Sequence, residues 1–575
     1  MADPLLELQE RLAAAFATVT GRPVDPVVRG SDRADAQANG ALALAKEMGR
    51  PPRELAQAVI DAADLDGICR DVELAGPGFI NLTFDEGYLA RAVAAVATDP
   101  RLGLPRADDP ERVVIDYSHP NVAKEMHVGH LRTTMIGDAL ARMLTDAGHT
   151  VIRENHIGDW GTPFGMLIEH LVDVGEAEAA RELSVGDLDG FYKQARTKFE
   201  ADEEFRERAR RRVVALQGGD PATLRLWTRL VEESTRYFDA VYGRLGVLLE
   251  DSDLMGESAY NDLLPEVVRR LDEAGVLVES DGAEVVFPPG FTNREGQPLP
   301  LIVRKGDGGF NYATTDLATV IDRVERVKAT LLLYVVGAPQ AQHLQMVFAV
   351  AEEVGWLQPP ARAVHVAFGN VLGTDHKMLR SRSGQTVKLI ELLDEGVERA
   401  ERAVAEKNPD LAADERAAVA RAVGIGAVKY ADLSTDRIKD YVFDWDRMLA
   451  FDGNTGPYLQ YAHARIRSIF RRAGVERTSV QGVSPTLEAP AERALALAIL
   501  GFEAAVRETL ERWAPHRLCT YLFELASTFT EFYEACPVLR SEEPLRTSRL
   551  ALADLTARVL ASGLGLLGIE APERM

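Results

Sequence analysis

Cysteine is scarce in this chain of 575 residues: Cys69, Cys519 and Cys536 are the only three, and they lie far apart. That spacing excludes a disulfide framework, and no C-x-x-C or H-E-x-x-H run offers a zinc site, so no metal centre is expected. No apolar run reads as a membrane span, and the opening Met-Ala-Asp-Pro carries no basic signal region. The expectation is a cytoplasmic protein with no membrane partner. Internal repeats and low-complexity tracts are also lacking. Positive charge is in deficit, with 65 Lys+Arg against 89 Asp+Glu and a formal net charge of −24. Taken alone, that balance argues against a nucleic-acid partner. A basic groove can still sit on an acidic body. Arginines cluster between Arg206 and Arg212, and again at Arg465, Arg467, Arg471 and Arg472. For the first cluster the competing reading is a solvated helix face with interleaved acids.

The length implies several domains and a large core, and 46% hydrophobic with 27% charged residues is ordinary for a globular chain. Residues 1–100 read as a small α/β domain. Leu5, Leu8, Leu12 and Phe16 keep helical spacing, and 72–74 and 79–84 read as strands around Gly76-Pro77-Gly78. Residues 110–390 alternate strands (113–116, 150–153, 331–336, 364–368) with helices. That is the pattern of a Rossmann-like parallel sheet covered on both faces. A charged helical insertion interrupts it near 165–275. From 391 to 575 the pattern is helical, with amphipathic segments at 412–423, 493–507, 521–533 and 548–560 that read as a bundle.

The most informative stretch ends in His127-Val128-Gly129-His130 and follows the strand-like Val113-Val114-Ile115. A strand feeding a loop and then a helix is expected, with His127 and His130 sharing a face at the helix start. There the free backbone N–H groups favour an anion, and Gly129 lets a flat ligand approach. Imidazoles so placed suit a triphosphate attacked at its α-phosphorus, donating to the charge that grows in the transition state. On spacing alone, two surface histidines or a metal pair remain equally open, although zinc would need a third ligand.

The context of that motif is more specific. Residues 116–132 with Gly137-Asp138 resemble the first signature of the class I aminoacyl-tRNA synthetases, and within them the arginyl-tRNA synthetases. The resemblance continues through Asn155-His156-Ile157-Gly158-Asp159-Trp160-Gly161, Gly256-Glu257-Ser258, Thr314-Thr315-Asp316 and the run from Phe451 to Arg465. It spans nearly the whole chain. It implies an arginine–tRNA ligase that uses ATP with Mg2+, L-arginine and tRNA(Arg). His127, Gly129 and His130 would serve the nucleotide, joined by Lys124, Lys377, Met378, Arg380 and His343. Lys377-Met378-Leu379-Arg380 stands where the class carries K-M-S-K; Leu379 replaces the Ser and Arg380 the second Lys, keeping charge but changing reach.

For arginine, the resemblance implies Asn121 at the α-amino group and Glu257, Tyr312, Asp316 and Gln340 around the side chain. The chemistry agrees: a guanidinium presents five N–H donors in a plane, which carboxylates can meet bidentately. Tyr312 and Asp316 share a face if that segment is helical. For tRNA it implies an elbow-binding module at residues 1–100 with Phe79 and Asn81, and an anticodon-binding bundle with Tyr458, Tyr461 and Arg465. Ala36 departs from the family, which often carries an aromatic there. A monomer is expected. The alternatives weighed are a redirected paralogue, favoured only by the altered loop, and a catalytically silent tRNA binder.

Overall fold

In the computed structural model, residues 3–31, 33–175, 188–306, 308–379 and 387–575 are described. The chain forms two compact units, Ala107–Leu449 and a second made of Met1–Arg106 together with Ala450–Met575. This differs from the sequence reading at both ends. Residues 391–449 belong with the strand-and-helix unit, because Val371–Leu372 pairs in parallel with Tyr441–Val442 across the expected boundary at 390. The helix Ala413–Leu433 is tied there too: buried Lys429 donates to the Leu245 carbonyl at 2.8 Å. The first hundred residues are not a separate body either. Arg493 binds Asp35 and donates to the Phe84 carbonyl at 2.8 Å, and Arg558 donates to the Ala97 carbonyl at 2.7 Å.

In the Ala107–Leu449 unit four parallel strands run in the order Arg362–His365, Leu331–Tyr334, Arg112–Asp116, Thr150–Glu154. Val113, Val114 and Ile115 are wholly buried, as a central strand covered on both faces requires. The register sets Tyr334 beside Asp116 and Asp116 beside Glu154, so three polar residues line up at the carboxyl ends. The strand order reverses between Arg112–Asp116 and Leu331–Tyr334, which opens a crevice there. The insertion comprises the helices Pro163–Val174, Leu188–Ala201, Glu203–Gln217 and Pro221–Leu245. Several of its arginines are paired with acids: Arg208 with Asp173 (2.8 Å), Arg210 with Glu207 (2.8 Å) and Arg212 with Glu169 (2.7 Å). A small antiparallel sheet, Val278–Ser280, Ala283–Val286 and Leu301–Arg304, follows.

The other unit has an antiparallel sheet (Val28–Gly30, Ala36–Ala38, Phe79–Phe84, Cys69–Ala75) and a set of helices. The segment expected as one helix at 493–507 is two, Pro490–Leu500 and Phe502–Arg512, separated at Gly501, a weak helix former.

Candidate active site

The loop between Asp116 and the helix Val128–Asp146 holds Ser118 (φ 84°), His119 (φ 54°) and Ala123 (φ 59°) in the left-handed region, which costs energy for residues with a Cβ. Buried side chains impose it. Ser118 N donates to Thr133 Oγ1 (3.0 Å), Ser118 Oγ meets Tyr242 OH (2.7 Å), and Ala123 N donates to Ser234 Oγ (2.9 Å). His119 N donates to Asn155 Oδ1 (3.1 Å) and His119 Nε2 to Asp116 Oδ1 (2.8 Å).

The two histidines stand side by side at the helix start. His127 is the N-cap and His130 the third helical residue, and they form a reciprocal capping box. Gly129 N donates to His127 Nδ1 (3.0 Å) and His127 N donates to His130 Nδ1 (3.1 Å), with ring centroids 4.1 Å apart. Gly129 is needed for this packing, since a Cβ there would meet His127 Cε1 at 2.7 Å. With both Nδ1 atoms accepting, each neutral ring carries its proton on Nε2. Burial lowers the His127 pKa and, with the neighbouring His127 and His119, pushes that of His130 down to about 3. Two neutral imidazoles thus offer Nε2–H donors at a helix start, without competing charge.

Asn121, from the loop before this turn, lines a cleft of about 540 Å³ together with Glu257, Tyr312, Asp316, Gln340 and His343. The fold thus gathers six residues expected at the site from the sequence. Glu257 begins the turn Glu257–Leu263 and has no hydrogen-bonded or ion-paired partner for its carboxylate among the described residues. Burial, then the charges of Asp159 and Asp316, raise its pKa to about 7. Asp316 and Tyr312 lie on the helix Tyr312–Ile321. His343, expected toward ATP, instead binds Asp316: Nε2 lies 2.5 Å from Oδ2, and its ring centroid is 4.7 Å from that of Tyr312.

Asp116, His119, His156 and Tyr334 also line the cleft, though no role followed from the sequence. Buried Arg323 binds Asp116 and Glu154, each at 2.7 Å. Burial opposes ionisation of Asp116, but Arg323 and His119 outweigh it and hold the carboxyl well below its usual range. His156 Nδ1 donates to the Met255 carbonyl (3.0 Å), which leaves Nε2 of the neutral ring as an acceptor. The signal for His119 and His156 was their place inside quoted motifs; nothing in their spacing gave a contact.

The expected phosphate ligands are placed differently. The Lys124 ammonium lies 4.5 Å above the Tyr192 ring, on the insertion helix Leu188–Ala201. Lys377 and Met378 are exposed on a hairpin that closes with Gly373 N donating to the Lys377 carbonyl (2.7 Å). Arg380 lies outside the described residues. Beyond it the chain returns to the histidine turn: His127 bridges Lys388, and Val128 N donates to the Val387 carbonyl at 3.1 Å.

In the other unit, Asn81 is only 5% exposed and accepts from Gln37 Nε2 (2.8 Å), so its carbonyl is already engaged; Phe79 is half-buried. Tyr458, Tyr461 and Arg465 all lie on the helix Gly456–Ala473. Tyr458 packs against Phe523, Tyr461 is 38% exposed, and the Arg465 guanidinium stands 5.0 Å over Tyr533, a residue the sequence did not single out.

Comparison with known proteins agrees along the full length. The catalytic-domain model of the class I tRNA synthetases for arginine matches residues 93–445, the DALR anticodon-binding domain 459–575, and the arginyl-tRNA synthetase N-terminal domain 6–84. The arginine–tRNA ligase of Thermobifida fusca is 57% identical over 579 residues, covering 100% of both chains. That of Frankia casuarinae is 53% identical, covering 96% of this chain and 95% of its own. Among solved structures, Plasmodium falciparum arginyl-tRNA synthetase matches with a TM-score of 0.86 at 27% identity and covers 99% of each chain. The Thermus thermophilus enzyme gives 0.81 at 28%, covering 99% of this chain and 100% of its own.

Proposed function

The chain belongs to the arginyl-tRNA synthetases, class I arginine–tRNA ligases, and we propose that Glu257 and Asp316 grip the substrate guanidinium while His127 and His130 serve the phosphate being attacked. One observation carries this reading. Among the described residues the cleft lining holds Asp116, Glu257 and Asp316 with no lysine or arginine, and Glu257 is left there without a cation. A buried acid kept unpaired costs stability, and a planar cation bearing five donors would relieve that cost. Tyr312 flanks the same space, Gln340 adds a polar wall, and Asn121 with His156 supplies acceptors for an α-ammonium group.

The reaction needs the arginine carboxylate to attack the ATP α-phosphorus, expelling pyrophosphate, and then a tRNA ribose hydroxyl to displace AMP. Neutral Nε2–H groups can stabilise oxygen charge in the first step without holding the ground-state triphosphate too tightly. Mg2+ would arrive with ATP as part of the substrate, and Lys124, Lys377 and Arg380, with Met378 beside them, would meet the phosphates or nucleotide. His343 supports arginine through Asp316. Tyr458, Tyr461 and Arg465 would read single-stranded bases of tRNA(Arg) by stacking and charge, and Phe79 with the exposed part of its sheet would touch the elbow. A monomer in the cytoplasm fits this role.

The test is aminoacylation with arginine, canavanine and lysine, with and without tRNA(Arg). Arginine on tRNA, weaker use of canavanine and none of lysine is the expected pattern. Equal use of lysine would remove the two carboxylates from the specificity site.

A further inference from the structure

Asp159 is 4% exposed, and its carboxylate meets no lysine or arginine among the described residues. What it touches is the turn that carries Glu257. Oδ1 accepts from Ser258 N at 2.9 Å and Oδ2 from the Ser258 hydroxyl at 2.6 Å. Gly256 lies flat against it: a Cβ there would come within 2.3 Å of Oδ2. The same two segments are stitched by backbone, with Met255 N donating to the Asn155 carbonyl and Glu257 N to the Ile157 carbonyl, each at 3.1 Å. Asp159 is itself held from behind, where Trp227 Nε1 donates to its carbonyl oxygen at 2.7 Å.

An amide would make the same two side-chain bonds. Its oxygen would accept from Ser258 N, and its NH2 would donate to Ser258 Oγ, which accepts as readily as it donates. A buried carboxylate therefore carries a desolvation cost that the turn does not require. Its charge also stands next to Glu257, where it opposes a second ionisation.

We infer that Asp159 is a positioning residue for arginine selection: its bonds orient Glu257, and its negative charge adds a third acid to the guanidinium site. The inference rests on the reading of Glu257 as a guanidinium ligand. The charged and titratable groups around Glu257 are Asp159 from the segment before the insertion and Asp316 from the helix Tyr312–Ile321. His343 stands on Asp316, and His156 faces Asp159. While the site is empty, the Asp159 charge makes Glu257 harder to ionise. Once a guanidinium enters, the same charge attracts it.

The experiment is steady-state aminoacylation of the full chain as a function of pH, comparing Asp159→Asn, Ser258→Ala and Glu257→Gln. Asp159→Asn should fold, hold kcat at saturating arginine, and raise the arginine KM roughly tenfold at pH 8. The pH at which its arginine KM begins to climb should move below that of the parent, because Glu257 has lost a repelling neighbour. Ser258→Ala keeps the charge and should raise KM only about twofold, with the pH midpoint unmoved. An Asp159→Asn chain that fails to fold, or one with unchanged KM and midpoint, would overturn the inference. So would a Ser258→Ala effect as large as that of Asp159→Asn. If Glu257→Gln leaves the arginine KM unchanged, it is the guanidinium reading itself that fails.

Discussion

From Ser118 to His130 the backbone is held by side chains arriving from several elements, Thr133, Asn155 and Ser234 among them, and Tyr242 holds the Ser118 hydroxyl. From Gly373 to Leu379 the described bonds are those of the turn itself, and Lys377 and Met378 stand in solvent. The two stretches face opposite demands. Neutral donors act only if they wait at one position, so the fold fixes them at the cost of three left-handed residues. Cations proposed to meet a triphosphate need reach more than fixity. The acidic cleft sits with the first kind: Asp316 is fixed by His343, and Glu257 by the backbone of its turn.

If this contrast is right, the largest loss should come from the fixed stretch. His130→Ala should lower kcat for arginine transfer by about 100- to 1000-fold. It should also lower the melting temperature, because a cap bond worth about 1 kcal/mol disappears. An unchanged kcat with lowered stability would leave the imidazole as a cap alone.

Glu257→Gln comes next, with the arginine KM rising about 100-fold as a charged partner becomes neutral. The same variant should melt higher than the parent at pH 8 without ligand. The Glu257 pKa is raised by folding, so its ionisation opposes the fold, and this cost is present above pH 7 and relieved below it. A lower melting temperature at pH 8 would contradict the unpaired-acid description.

The pH dependence of the parent is smaller again. With Glu257 as the proposed guanidinium ligand, the arginine KM should be flat above about pH 7 and climb by up to about tenfold per unit below it. A profile flat down to pH 5.5 would mean that Glu257 is not titrating in the site. Smallest is Lys377→Ala, which should raise the ATP KM by only about threefold and leave the melting curve in place. A collapse of kcat there would erase the contrast between the two stretches.

The central strands were legible because Val113, Val114 and Ile115 are buried on both faces and read as one apolar run. The strands Val278–Ser280, Ala283–Val286 and Leu301–Arg304 were missed, being three or four residues long with exposed positions and no clear alternation. Motif order named Glu257 and Asp316, but not that His343 would bind Asp316, because that bond joins residues 27 apart through tertiary packing. His127 was read as helical. A cap and a first-turn residue differ by one position, and only the backbone angles separate them. The first arginine cluster illustrates the reverse: its acids at Asp173 and Glu169 lie on another helix, so interleaving along the sequence showed only part of the neutralisation.

The joining of Met1–Arg106 to Ala450–Met575 also bears on how the chain is made. The helix Glu86–Thr98 packs against Pro490–Leu500, so its partner is translated only after an entire unit of roughly 340 residues has emerged. At about 5–20 residues per second that is a wait of roughly 20–70 seconds on the ribosome. Throughout it the early sheet must stay soluble with its docking side open. A nascent chain stalled before residue 450 would expose that side to chaperones and proteases alike.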